Sequence, residues 1–179
     1  PIIKSEWISS LSNAVTVAVR GALCELDFKL SENDDIFSKY LNMAYDKTGV
    51  MFTLPIRCVG QAACLDTEEI NKLTEVFAKF AVAYQIRDDE ADYLGNKTGR
   101  ATMSDILNDR PNLYYLLSKS EVHAPDLFKH ASNFHEKLIE EAEVGLEAFP
   151  NSLTLMIREL VLPFVKLTKS PDPSYNLAC

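Results

Sequence analysis

Glycine is scarce here, six residues in a chain of 179. An all-β domain of that length turns at many hairpins and draws on glycine for them, so the shortage points toward helix. Basic charge is also short: 18 Lys and Arg stand against 26 Asp and Glu, a net −8. A nucleic-acid binder needs a cationic face for the phosphate backbone, so no nucleic-acid partner is expected. The acidic balance still leaves room for a small anionic ligand brought in with divalent metal. No uninterrupted apolar run reaches the roughly 18–20 residues of a membrane span. No N-terminal stretch has the pattern of a signal peptide. Cys24, Cys58, Cys64 and Cys179 show neither CxxC nor zinc spacing, and read as free thiols of a reducing, cytoplasmic compartment.

What is present is helical periodicity. Residues 5–29 contain no proline, and Trp7, Leu11, Ala14, Val15, Ala18 and Ala22 recur at helical spacing. Ile8, Val19 and Leu26 widen that stripe, which predicts a helix buried on most sides. Ser31 to Asp34 reads as an N-cap and acidic first turn for a helix to about Tyr45. Residues 46–64 predict a buried helix kinked near Pro55. Asp66-Thr-Glu-Glu69 has the form of a capping box opening a helix over about 67–93. Gly95 to Gly99 is a loop, Ser104 to Asp109 one turn, and Pro111 suits the first turn of a further short helix. Helices over about 124–148 and from Asn151 to about Lys169, the second bent at Pro163, complete one all-α domain over 1–169. Residues 170–179 read as a loose tail.

The segment that carries chemistry is Tyr84-Gln-Ile-Arg-Asp-Asp-Glu-Ala-Asp-Tyr93, with Asp88, Asp89 and Asp92 in a DDxxD pattern. At about 100° per residue, Ile70, Leu73, Phe77, Ala81 and Tyr84 form one inward stripe, with Asp88 in its middle. Asp92 falls about 40° further round and Asp89 on the flank. Inward carboxylates repel one another and lose hydration. They call for positive charge, and Mg²⁺ prefers oxygen ligands while keeping positions open for water and phosphate oxygens. The plain alternative is a solvated acidic face, but acids near a helix C-terminus oppose its dipole.

A second motif converges on the same chemistry. Lys47 opens the apolar segment, with Met51, Leu54 and Cys58 at i+4, i+7 and i+11, so the lysine shares their face and needs an anion or a route to water. Lys97, Arg100 and Arg110 follow the acidic cluster, within reach of a ligand held above it. Several cations beside metal-binding acids suit a diphosphate. His123, His130 and His135 have no metal-spaced partners and read as helix-surface residues. Phe52, Phe77, Phe80 and Tyr84 are either plain core or the lining of an apolar pocket.

Lys47-Thr-Gly-Val-Met-Phe52, Gly60-Gln-Ala-Ala63, Gln85-x-x-Asp88-Asp89-x-x-Asp92, Lys97-Thr-Gly-Arg100 and Ser104-Asp-Ile106 occur in order. In this the sequence resembles the trans-type isoprenyl diphosphate synthases, or polyprenyl synthetases, over roughly residues 15–115. Gly21 and Asp27 stand where that family has a glycine-containing helix and an acidic position. The resemblance implies an all-α barrel-like bundle around an apolar pocket. It implies Mg²⁺-dependent condensation of an allylic diphosphate with isopentenyl diphosphate, the metals drawing off the allylic diphosphate. By position, Asp88, Asp89 and Asp92 correspond to the family's second Asp-rich motif and its metal ligands. Lys47 and Thr48 would contact the allylic diphosphate beside Gln85, with Arg110 binding diphosphate and Lys97 and Arg100 competing for one further diphosphate-binding role.

The family's first Asp-rich motif has no counterpart. Asp34-Asp35 lacks a third Asp at the required spacing and reads as a cap. The expectation is therefore the C-terminal part of a synthase, completed by an N-terminal fragment or a second subunit carrying the first DDxxD. Pro1 in place of Met favours a cut chain. Exposed apolar barrel surface should drive homo- or hetero-oligomerisation. A terpene cyclase of the same fold and a non-catalytic regulatory subunit are the alternatives.

Overall fold

The 27-residue helix expected around the aspartates forms over Thr67–Tyr93 and runs through the middle of the fold. This computed structural model describes residues 5–29, 31, 35–99, 101–120 and 126–167. In chain order the helices are α1 (Ser5–Leu26), α2 (Ile36–Ala44), a π turn (Tyr45–Gly49), α3 (Val50–Ala62), α4 (Thr67–Tyr93), α5 (Ser104–Leu107), α6 (Leu113–Ser118), α7 (Leu127–Leu146) and α8 (Asn151–Val165). The described residues contain no strand, so the all-α expectation holds.

Both ends of α4 are built from local chemistry. The Asp66 carboxylate accepts from the Glu69 amide at 2.8 Å, and the Glu69 carboxylate accepts from the Asp66 amide at 3.0 Å. This is the reciprocal cap read from the sequence. At the other end Gly95 takes φ +73°, and the Asn96 amide donates to Ala91 O at 2.8 Å, closing the helix as a Schellman turn. A side chain on Gly95 would also meet the Thr102 hydroxyl at 2.2 Å.

α4 packs chiefly against α7 and α3, and joins two apolar clusters. One gathers Tyr40, Ile86, Tyr93, Leu113, Tyr114 and Leu117 under the loop end of α4. The other gathers Leu73, Phe80, Ile139, Leu146, Ile157 and Leu162 at its start. Because two faces of α4 are covered, its buried line runs Leu73, Val76, Phe80, Ala83, Ile86, Asp89. The inward stripe read from the sequence is displaced. Ile70, Leu73 and Ala81 are buried, Phe77 is half-buried, and Tyr84 is exposed. Asp89, expected on the flank, lies on the buried line, and Asp88, expected in the middle, is half-exposed.

Several other expectations need correction. α1 is not buried on most sides: only Ala14 and Gly21 are buried, while Ile8, Leu11, Val15, Val19, Leu23 and Leu26 are exposed. The cap of α2 is Asp35, whose carboxylate accepts from the Phe37 amide, rather than the Ser31–Asp34 stretch, of which 32–34 lie outside the described residues. α3 packs against both α4 and α1, so its buried face lies between those two contacts rather than on the line counted from Lys47. α3 buries Val50 and Thr53 where Met51 and Leu54 were expected. α6 begins after Pro111, with Asn112 as cap accepting from the Tyr115 amide at 2.7 Å. α8 begins at Asn151 with Pro150 in the cap position. Asn151 is therefore a first-turn residue rather than a cap. The 170–179 tail and His123 lie outside the described residues.

His135 is buried rather than on the surface. Its Nε2 lies 2.6 Å from Val165 O, and Arg87 donates to Phe164 O. The two side chains satisfy carbonyls at the end of α8 that helix geometry leaves open. Burial lowers the His135 pKa, against the hydrogen bond that would raise it.

Candidate functional site

A cleft of about 340 Å³ opens where α1, α2, the π turn, α4 and the 97–112 segment meet. Lys47, Gln85, Asp88, Asp89, Lys97 and Arg110 all line it. Of the residues singled out from sequence, Thr48 lies behind the lining and Arg100 falls outside the described residues.

The three aspartates of the motif do different things. Asp88 is half-exposed at the cleft, and Lys97 Nζ reaches its Oδ2 at 2.8 Å. Asp89 is 2% exposed and receives three donors. Gln85 Nε2 donates to Oδ1 at 2.9 Å, Tyr40 Oη to Oδ2 at 2.7 Å, and the Leu113 amide to Oδ2 at 3.0 Å. Burial nonetheless pushes the Asp89 carboxyl up to about 7, its donors only partly offsetting the lost hydration. Asp92 is 1% exposed. Its carboxylate accepts from Ser104 Oγ at 2.6 Å and from the Asp105 amide at 3.0 Å, so it caps α5. The inward charge inferred for the motif is real at Asp89 and Asp92, but protein donors already meet it there. Asp88 presents its carboxylate to the cleft.

Lys47 finds its anion at Glu25, whose two carboxylate oxygens lie 2.8 and 2.9 Å from Nζ. The approach depends on Gly21, one turn earlier on the same face of α1. A Cβ there would stand 2.7 Å from the Lys47 backbone nitrogen, so α1 and the π turn touch backbone to backbone. Glu25 was missed in the sequence, although Gly21 and Glu25 at i, i+4 mark the face. Tyr40 was missed too, and it is seven residues before Lys47, two turns back on the helix that leads into it. Arg110 is exposed at the rim and forms no ion pair with a described residue. Asp105 and Asn112 complete that wall, with Asn112 Nδ2 donating to Asp105 Oδ2 at 3.3 Å.

Lysine and arginine donors around one presented carboxylate suit a polyanion that arrives with a divalent cation. Mg²⁺ is commonly held by one or two carboxylates and completes its shell with water and phosphate oxygens. Asp88 fits that role with one free face. No group of three His, Cys, Asp or Glu among the described residues is placed to cage a metal, so the phosphate oxygens of a ligand would belong to the shell.

Comparison with known proteins adds a separate line of observation. The family described as polyprenyl synthetase matches residues 3–143. Decaprenyl-diphosphate synthase of Dictyostelium discoideum is 33% identical over 118 residues, covering 60% of this chain and 26% of that protein. The heptaprenyl diphosphate synthase from Staphylococcus aureus shares the fold with TM-score 0.78 at 17% identity, over 93% of this chain and 62% of that one. A decaprenyl diphosphate synthase from Rhodobacter capsulatus gives TM-score 0.67 at 18% identity, over 90% and 59%. The chain thus spans about a quarter of the curated relative and under two thirds of each of these solved structures.

Proposed function

The chain belongs to the polyprenyl synthetase family, and from that premise we propose that it supplies the diphosphate-binding wall of a Mg²⁺-dependent prenyltransferase. The reaction is condensation of an allylic diphosphate with isopentenyl diphosphate. The observation that carries this reading is the cleft where Asp88, Lys97, Lys47 and Arg110 converge.

Each residue has a distinct task. Asp88 would hold the Mg²⁺, which when bound supplies positive charge to the departing diphosphate. Lys97, paired with Asp88 in this structure, would donate to the phosphate oxygens of a bound diphosphate. Lys47, held by Glu25 at one side, offers its remaining ammonium protons to the same ligand. Arg110 closes the rim with its planar fork. Asp89, at the floor of the cleft, fixes Gln85, and Asp92, behind it, fixes the start of α5. Thr48 supports Gln85, and Arg100, outside the described residues, stays a candidate diphosphate ligand by its place in the sequence alone.

The whole reaction needs more than this chain. The chain spans only part of its relatives, and no second Asp-rich motif faces Asp88 across the cleft among the described residues. We therefore place the first Asp-rich motif outside residues 1–179, either in an N-terminal part or on a second subunit. The exposed apolar stripe of α1 from Ile8 to Leu26 supports association with a helical partner. A non-catalytic regulatory subunit is the second reading, favoured by the single motif carboxylate left to the cleft.

Intact and native mass of the purified protein, followed by an elongation assay with Mg²⁺, tests the proposal. A co-purifying chain with another DDxxD, together with prenyl elongation, is the expected result. A homo-oligomer of this chain alone, inactive with both substrates, overturns the catalytic reading in favour of the regulatory one.

A further inference from the structure

A line of hydrogen bonds runs from the π turn into the core and stops at Asp89. Thr48 Oγ1 donates to Gln85 Oε1 at 2.8 Å, and Gln85 Nε2 donates to Asp89 Oδ1 at 2.9 Å. On the other carboxylate oxygen Tyr40 Oη donates at 2.7 Å beside the Leu113 amide at 3.0 Å. Four elements meet in this knot: α2 through Tyr40, the π turn through Thr48, α4 through Gln85 and Asp89, and α6 through Leu113.

The line has a direction. With Asp89 ionised, both of its oxygens accept, Oδ1 from Gln85 and Oδ2 from Tyr40 and the Leu113 amide, so the Gln85 amide turns its nitrogen toward it. Its carbonyl oxygen then faces Thr48, whose hydroxyl must donate. One Nε2–H of Gln85 is consumed and the second is left for whatever occupies the cleft that Gln85 lines. The polarity of Gln85 is thus set by Asp89, and the orientation of Asp89 is set on its other oxygen by Tyr40.

Tyr40 is suited to that task and to little else. It is 0% exposed and packed in the apolar cluster with Ala44, Ile86 and Leu113. Its hydroxyl spends its proton on a buried carboxylate, which has no water to replace it. We propose that Tyr40 is a positioning residue: through Asp89 it sets the direction of the Gln85–Thr48 pair and so the donor that Gln85 turns to a bound diphosphate. The functional consequence rests on the diphosphate reading above, whereas the relay itself is a property of the ligand-free protein.

The test has a structural arm and a binding arm. Tyr40→Phe keeps the ring and removes one donor. With threonine methyl groups labelled, the Thr48 methyl resonance should move in Tyr40→Phe, although Tyr40 lies two hydrogen-bonded partners away. Asp89→Asn should move it further. The favourable rotamer puts the Asn oxygen toward Tyr40 and Leu113 and its NH₂ toward Gln85, so the Gln85 amide must reverse and Thr48 must accept. In calorimetry with Mg²⁺ and inorganic pyrophosphate on the protein with its co-purifying partner, Tyr40→Phe should weaken binding by about threefold to tenfold, the worth of one hydrogen bond.

An unmoved Thr48 methyl in both variants overturns the relay. Pyrophosphate affinity equal to wild type in a folded Tyr40→Phe protein overturns its bearing on the cleft. Where Tyr40→Phe does not fold, Asp89→Asn alone decides the relay. A wild-type protein that binds no Mg²⁺–pyrophosphate counts against the diphosphate reading, and the methyl shift still decides the relay.

Discussion

Lys97 and Asp88 close on one another at 2.8 Å across the mouth of the cleft, the lysine side chain 15% exposed and the carboxylate 45%. The lysine is thus well covered while its partner faces water. An ion pair so placed is weak in itself, but it competes with any cation that seeks Asp88. Lys97→Met should therefore tighten Mg²⁺ alone, by about threefold, and loosen Mg²⁺–pyrophosphate by about tenfold. Calorimetry with each ligand reads the two signs. Equal signs for both would remove Lys97 from the ligand's path.

Asp92 should behave unlike Asp88. On the proposed function, Asp88→Ala removes the carboxylate that would hold Mg²⁺ and should cost several orders of magnitude in elongation rate with the fold intact. Asp92→Ala leaves the Ser104 hydroxyl and the Asp105 amide without their acceptor, at a cost of about 1–3 kcal/mol. Faster hydrogen exchange at the Asp105 amide is the expected signature, since it donates to the Asp92 carboxylate. Unchanged exchange there, with activity lost as in Asp88→Ala, would return Asp92 to the metal site.

Asp89 makes stability depend on pH in an unusual direction. Burial raises its carboxyl to about 7 in the fold, whereas an unfolded aspartate titrates at about 3.9. Between those values the folded protein holds a proton that the unfolded chain has released. Stability from this group is therefore greatest at low pH, falls as pH rises from about 4 to about 7, and is level above that. Asp89→Asn should flatten this slope by a few kcal/mol at most. Melts of wild type and variant without metal between pH 5 and 8 measure it, and parallel curves would contradict it.

Gly21→Ala should separate α1 from the π turn. The new Cβ would lie 2.7 Å from Lys47 N and 2.8 Å from the Asp46 carbonyl carbon, both backbone atoms that have little freedom to yield. Overpacking of this kind costs about 1–3 kcal/mol. It should also break the Lys47–Glu25 pair and weaken pyrophosphate binding. A crystal structure of the variant with Lys47 unmoved, or an unchanged melting temperature, would show that the approach is not strained.

Local signals carried far in this chain. Asp66 and Glu69 announced the start of α4, and Gly95 its end, because caps are decided by residues a few positions apart. The resemblance carried by the KTG and DDxxD motifs implied that Lys47 and Asp88 meet one ligand, and both line the cleft. Which aspartate faces solvent, ligand or core was a tertiary matter. Val76, Phe80, Ala83 and Ile86 are packed on a face of α4 beside the stripe read from sequence, and that face carries the buried line onto Asp89. The α3 face fell on Val50 and Thr53 because α4 and α1 both pack on that helix, which periodicity from Lys47 does not see. Glu25 and Tyr40 reach Lys47 and Asp89 from helices 22 and 49 residues away in the chain. Composition and helical spacing thus determined that this chain is all-α and places acid beside base. Only the tertiary structure decided which acid is left for a ligand, because a carboxylate's role is set by the donors that packing brings to it.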